Sequence, residues 1–243
     1  MVATRRVLVL APMPLELDAV VEAFGLRAPT GEADRAWTGR VGGSAVTAVH
    51  IGMGPPAARA ATTRLLDEAE RDGAPFGHVM VAGICGGLDP DQPVGTLLNP
   101  EIVIDHATGA AFRHSPPGVA PTRGGLITTE GVSLDPELSR RFLEDGCLGV
   151  DMETSAVAGV CAARGMAWSV YRCISDRAFD GLLDDRILAL TRPDGSVRVD
   201  EVVALLDQEP DLAPILERLG RDTATAARLA ADAALHGCRA LDA

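Results

Sequence analysis

Three carboxylates in this chain each stand just beyond a short apolar run: Glu16 after residues 7–11, Glu153 in Asp151-Met152-Glu153 after 147–150, and Asp176 after 168–174. Carboxylates sharing a partly dry cleft can divide acid and base work, one holding a proton for a leaving group while another accepts one from water. If the three runs are neighbouring strands, the loops after them converge, because open α/β sheets bind ligands beyond the carboxyl ends of their strands. The plainer reading of each acid is a helix cap, since Asp and Glu also favour the first turn of a helix. Spacing alone leaves both readings open. Two further features join them. Gly83-Ile84-Cys85-Gly86-Gly87 reads as a loop whose glycines either let backbone approach a ligand or simply turn the chain. Arg172, four residues before Asp176, can orient neighbouring carboxylates or form a structural ion pair.

The elements that must position these residues follow from hydrophobic period. Residues 7–11 are a Val/Leu run suited to a strand buried on both faces, and 14–24 carry a helical period from Pro14 to the stop at Gly25. Residues 36–41 and 44–51 read as a hairpin divided by Gly42-Gly43, followed by an alanine-rich helix over 57–69. Strands are expected at 78–82, 126–129, 147–150 and 168–174, with a strand pair or one bent strand over 93–105. Helices are expected at 136–143 and at 154–164, the latter closed by Gly165. The stretch 109–125, rich in Pro and Gly, reads as a mobile surface loop. From about residue 198 to 243 the text is helical, as separate helices at 202–206, 212–219 and, after Gly220, 223–235. Strands alternating with helices predict one α/β domain over residues 1–243, a central mixed sheet flanked by helices.

Composition narrows the chemistry. The 243 residues contain 22 Arg and no Lys, which excludes a Schiff-base lysine and a phosphate-loop lysine. A net charge of -12, with Arg scattered among 34 acids, argues against a nucleic-acid partner. Five cysteines without a C-x-x-C pair suit reduced, buried thiols, and five histidines without ligand spacing suit structural roles. The apolar run after Arg5-Arg6 is too short for a signal peptide, and no segment approaches a membrane span, so a cytoplasmic protein is expected.

Four segments in order, VLVLAPMPLELDAV, HIGMGPPAARAATTRLL, VMVAGICGGLDPDQPVG and GVDMETSAVAGVCAARGMAWSVYRCISD, resemble the nucleoside phosphorylase and nucleosidase superfamily. The most specific parts are Val150 to Ala156 and Arg172 to Asp176, similar to the family's V-E-M-E-x-x-A and R-x-I-S-D elements. The resemblance implies a three-layer α/β sandwich in which Met152 packs on a ribose, Glu153 accepts hydrogen bonds from its hydroxyls and Asp176 protonates a departing purine. It also places Asp151, Arg172, Ser175, Gly83, Ile84, Cys85 and Gly86 at the substrate, with Met53 lining the 5′ pocket. Ile84 stands where the methylthioadenosine enzymes have Ser. Val132 stands where an aromatic would stack on adenine, so apolar contact would hold the base.

Met13-Pro14-Leu15-Glu16 matches the arrangement in which the family's nucleosidases hold the attacking water, whereas phosphorylases use arginines near this loop and before the glycines. Met80-Val81-Ala82 precede the glycines here, and an unpaired phosphate dianion would be costly in a dry cleft. Hydrolysis of a purine ribonucleoside is therefore expected, with a phosphorylase and a non-catalytic nucleoside-binding protein as the alternatives. The segment ILALTRPDGSVRVDEVVALLDQEPDLAPILERLGRD resembles the hopanoid-associated branch, which implies a bulky 5′ group. The resemblance further implies a homodimer whose neighbour closes the 5′ side, and no metal or organic cofactor.

Overall fold

Strand β1 (Arg6–Ala11) is wholly apolar after its first residue because both of its faces are covered. Val7 and Val9 pack with Leu17, Val20 and Phe24 of α1 (Pro14–Phe24), while Leu8 and Leu10 face the opposite layer with Leu66 and Val157. Pro14 opens α1, and Gly25 closes it with a φ of 61° that an L side chain rarely adopts. The computed structural model describes residues 4–28, 36–118 and 122–242.

The chain continues through β2 (Trp37–Val41), β3 (Ser44–His50), α2 (Pro55–Arg71), β4 (His78–Gly87), β5 (Leu97–Leu98), β6 (Ile102–Asp105) and β7 (Ala111–Phe112). It then forms β8 (Gly125–Thr128), α3 (Pro136–Glu144), β9 (Cys147–Asp151), α4 (Thr154–Ala163) and β10 (Trp168–Arg177). Helices α5 (Asp185–Ala189), α6 (Val199–Gln208) and α7 (Ala213–Ala240) complete it, with a 3₁₀ turn at Pro210–Leu212 before α7. The sheet runs β2-β3-β1-β4-β9-β8-β6-β7, and β10 pairs with β4 and with β5. Parallel pairs join β1 to β3 and β4, β4 to β10, and β8 to β6 and β9. The pairs β2–β3, β4–β9, β6–β7 and β5–β10 are antiparallel, so the sheet is mixed. Helices α1 and α7 cover one face, α2 and α4 the other: one mixed α/β domain in three layers.

Four expectations need correction. Residues 83–87 are not a loop but the second half of β4, paired with β10 throughout. Glycine is required there by close neighbours. A Cβ on Gly83 would lie 2.1 Å from Glu16 Oε1, and one on Gly87 2.9 Å from Ile174 Cγ2. Within 93–105, β5 and β6 are not partners, since β5 joins β10 and β6 joins β8 and β7. The stretch 109–125 is partly anchored: β7 pairs with β6, His114 is buried against the Pro100 carbonyl, and Ser115 donates to the Trp168 carbonyl. Its residues 119–121, Pro121 included, lie outside the described residues. Finally, Gly220 does not divide two helices but sits inside the 28-residue α7. The ~1 kcal/mol cost of an interior glycine is outweighed by burial of Ala226, Ala227, Ala230, Ala231 and Ala234 against β4 and β10. Among the described residues no helix is long and apolar enough to cross a membrane.

Candidate active site

Strand β4 leaves β1 after Val81 and meets β9 only at Gly86, so Gly83 to Cys85 border a gap in the sheet. Two side chains fill that gap in place of a strand. Glu16 Oε1 accepts from the Ile84 N–H at 2.7 Å, and Arg172 Nη1 donates to the Ile84 carbonyl at 3.0 Å. The missing Cβ of Gly83 makes room for both, since it would also lie 2.7 Å from Arg172 Nη1.

Glu16 occupies the third position of α1, and its Oε2 accepts from the N-cap Met13 N–H at 2.7 Å. That is half of a capping box, so the capping role and the site role coexist. Burial pushes its carboxyl above the ordinary value, opposed by Arg172 and by the two N–H groups.

Arg172 is 1% exposed and reaches three carboxylates: Asp151 Oδ2 at 2.7 Å, Glu153 Oε2 at 3.1 Å and Glu16 Oε1 at 3.5 Å. Burial works against its charge, but the three carboxylates hold the guanidinium protonated. Glu153 Oε1 accepts from the Gly54 N–H at 2.8 Å. Burial lifts Glu153 to about 7, against the pull of Arg172 and with the push of Asp151. Asp151 is held by the protein at both oxygens. Its Oδ1 accepts from Thr128 Oγ1 at 2.6 Å, and its Oδ2 from Arg172 and from the Thr154 N–H and hydroxyl at the start of α4.

Asp176 owes its position to a β-bulge. The β10–β4 register pairs Ile174 with Cys85 and Asp176 with Gly86, leaving Ser175 extra. Such a bulge re-aims side chains at a strand end. Ser175 Oγ donates to Asp176 Oδ1 at 2.7 Å, and burial raises the Asp176 carboxyl despite that bond.

These groups surround one cavity of about 270 Å³. Glu16, Glu153, Asp176, Met53, Met152 and Asp151 line it together with Ile84, Cys85, Gly86, Arg172, Ser175 and Val132. Gly83 is not on its wall but behind Glu16, and Val132 stands at the rim, 49% exposed. Sequence reasoning missed Phe142 of α3, Leu88, and the segment after β10 that contributes Leu182 and Leu183. Phe142 could have been found from the spacing of Leu138 and Phe142 on one helix face, whereas residues 178–183 carry no period at all.

Comparison with known proteins agrees with this architecture. The sequence pattern of the phosphorylase superfamily matches residues 6–144 and 117–204. The chain belongs to the phosphorylase superfamily. Within it, the chain is 28% identical over 193 residues to the futalosine hydrolase of Streptomyces coelicolor, covering 68% of this chain and 77% of that protein. The fold of this superfamily member is also that of a Colwellia psychrerythraea 5′-methylthioadenosine/S-adenosylhomocysteine nucleosidase solved with adenine. That structure matches with a TM-score of 0.70 and 18% identity, over 98% of this chain and 96% of that one. The futalosine hydrolase of Helicobacter pylori matches with a TM-score of 0.69 and 16% identity, over 98% of both chains.

Proposed function

We propose that this chain is a nucleosidase, hydrolysing the N-glycosidic bond of a purine ribonucleoside with a 5′ substituent and releasing the free base, adenine where the substrate is an adenosine. The observation that carries the reading is the convergence of Glu16, Glu153 and Asp176 on one cavity, each carboxylate fixed by different donors. The relatives described above, a hydrolase and a nucleosidase, support it.

Glu16 holds and deprotonates the attacking water. Its oxygens keep lone pairs after accepting from Met13 and Ile84, and its raised proton affinity makes it the better acceptor. Glu153 receives the vicinal ribose hydroxyls, and Met152 offers apolar contact to the sugar. As the C1′–N bond breaks, positive charge grows on the sugar beside these carboxylates, while the base takes the bonding electrons and a proton from Asp176. The water oxygen bonds to C1′ and its proton passes to Glu16. Asp151 fixes Arg172 and the start of α4. Ile84, Cys85 and Phe142 form an apolar seat for the base. The rate needs Glu16 ionised and Asp176 protonated, so it falls on both sides of an optimum.

Phosphorolysis fits less well, because both arginines lining the cavity already serve carboxylates: Arg172 as above and Arg177 on Asp180. A groove of about 870 Å³ along α2, bordered by Pro55 and Arg59, shares Thr129 with the cavity, and a second copy seated there in a homodimer would complete the 5′ side. The five cysteines are all buried free thiols, which suits action in the reducing cytoplasm. Assaying a panel of purine nucleosides for free base, with and without phosphate and with Asp176→Asn as control, tests the reading. Base release from a 5′-substituted adenosine without phosphate supports it, and binding without any release overturns it.

A further inference from the structure

The Pro193-Asp194-Gly195 turn lies far along the chain from Glu16 and Glu153, yet its tip touches the two loops that hold them. A lone bridge between Thr191 and Val197 closes the turn, which Asp194 Oδ1 tightens by accepting from the Ser196 N–H and hydroxyl. The Pro193 carbonyl accepts from the Met53 N–H at 3.1 Å, and the Asp194 carbonyl lies 2.8 Å from His50 Nε2. Gly195 is buried against Met13, with a φ of 80°. A Cβ there would lie 2.6 Å from Met13 Cγ and 3.0 Å from Met13 Cα. The two residues it seats are the ones that matter: Met13 N–H holds Glu16, and Gly54, next to Met53, holds Glu153.

We infer that this turn is a positioning brace that sets Glu16 and Glu153 at once, pressing on the loop after β1 through Gly195 and on the loop after β3 through the Pro193 carbonyl. Neither Pro193 nor Gly195 lines the cavity, so the brace acts through Met13 and Met53, both of which do. Its kinetic consequence rests on the nucleosidase reading; its structural consequence does not. Small displacements of groups that orient a substrate cost large factors in rate, which is why a remote turn can govern turnover.

Backbone amide exchange and steady-state kinetics of Gly195→Ala test the brace together. Exchange at Met13, Met53 and Gly54 is expected to rise about tenfold, with the Val9 and Val81 amides of the sheet core unchanged. With 5′-methylthioadenosine as probe, kcat per folded enzyme is expected to fall about tenfold through Glu16, and KM to rise through Glu153. Unchanged exchange at the three amides overturns the brace, as do unchanged kcat and KM in an active enzyme. If Gly195→Ala does not fold, Asp194→Ala loosens the turn without crowding Met13, and about a threefold rise at the same amides is expected, with no rise overturning the brace. If the wild type releases base from neither 5′-methylthioadenosine nor futalosine, the nucleosidase reading falls, and amide exchange alone decides the brace.

Discussion

Strands β4 and β10 run side by side from Val79 and Trp168 to Gly87 and Arg177, and their two ends bury ionisable groups in opposite ways. At the start, His78 meets the Ser169 hydroxyl at 2.9 Å, and His114, beside the Trp168 ring, meets the Pro100 carbonyl. Burial lowers both imidazoles, His78 to about 4 with further help from Arg5 and His114, so both rings are uncharged near pH 7. At the far end three carboxylates share the buried Arg172 guanidinium, and among the described residues Asp176 has no ion pair. One end removes charge to stay packed; the other retains surplus negative charge where a cationic sugar would form. Such a cluster is poor in stability and rich in function, because each ion resists burial and is kept by the others.

The sharpest way to break that contrast is to disarm the charged end. Glu16→Gln and Asp176→Asn should each lower base release by about 10²- to 10⁴-fold with the fold retained, as measured by turnover on the best substrate and by circular dichroism. A comparable loss from His78→Gln would erase the distinction between the two ends.

Removing the shared cation comes next. Arg172→Leu leaves Glu16, Asp151 and Glu153 facing one another, and a cost of about 3–5 kcal/mol in urea unfolding at pH 7 is expected. The cost should shrink at pH 5, where Glu16 and Glu153, already pushed upward by burial, take up protons. A loss independent of pH would mean that the guanidinium matters for packing alone.

Gly83→Ala asks whether the gap in the sheet is reserved for those side chains. The added methyl would overlap Glu16 and Arg172, so about 1–3 kcal/mol of stability and about 10²-fold in rate should be lost. Wild-type rates would show that Glu16 can sit elsewhere.

The smallest effect has opposite signs at the two ends. Glu153 binds a proton more tightly when folded, up to about 7, so its share of stability is present at low pH and is lost as pH rises from about 4.5 toward 7. His78 binds one less tightly, down to about 4, so its share is present above about 6.5 and is lost as pH falls toward 4. Between about 4.5 and 6.5 the two slopes, each up to about 1.4 kcal/mol per pH unit, oppose one another. Glu153→Gln should therefore make stability climb more steeply with pH in this window, and His78→Gln should make it decline; urea midpoints across the window read both.

The parts legible in the sequence are those that local rules govern. Helix α1 was bounded by Pro14 and Gly25, and Glu16, Glu153 and Asp176 were visible as acids at strand ends, because period and caps are short-range features. The glycines of β4 misled for a physical reason: glycine marks turns by its φ, but Gly83 and Gly87 are glycine because Glu16, Arg172 and Ile174 pass close by. No spacing rule could show that. The same holds for Gly220, whose cost is offset by alanine packing, and for Leu182 and Leu183, which reach the cavity through an irregular segment. The long-range link between Gly195 and Met13 was present in the text only as a turn signal.

The most direct test of the central claim, that Glu16 delivers water to a sugar held at Glu153 as Asp176 frees the base, is turnover of 5′-methylthioadenosine or futalosine in ¹⁸O-labelled water free of phosphate. The expected result is free base and one ¹⁸O atom at the sugar's C1, with the rate unchanged when phosphate is added. Unlabelled sugar phosphate, formed only when phosphate is present, would contradict it.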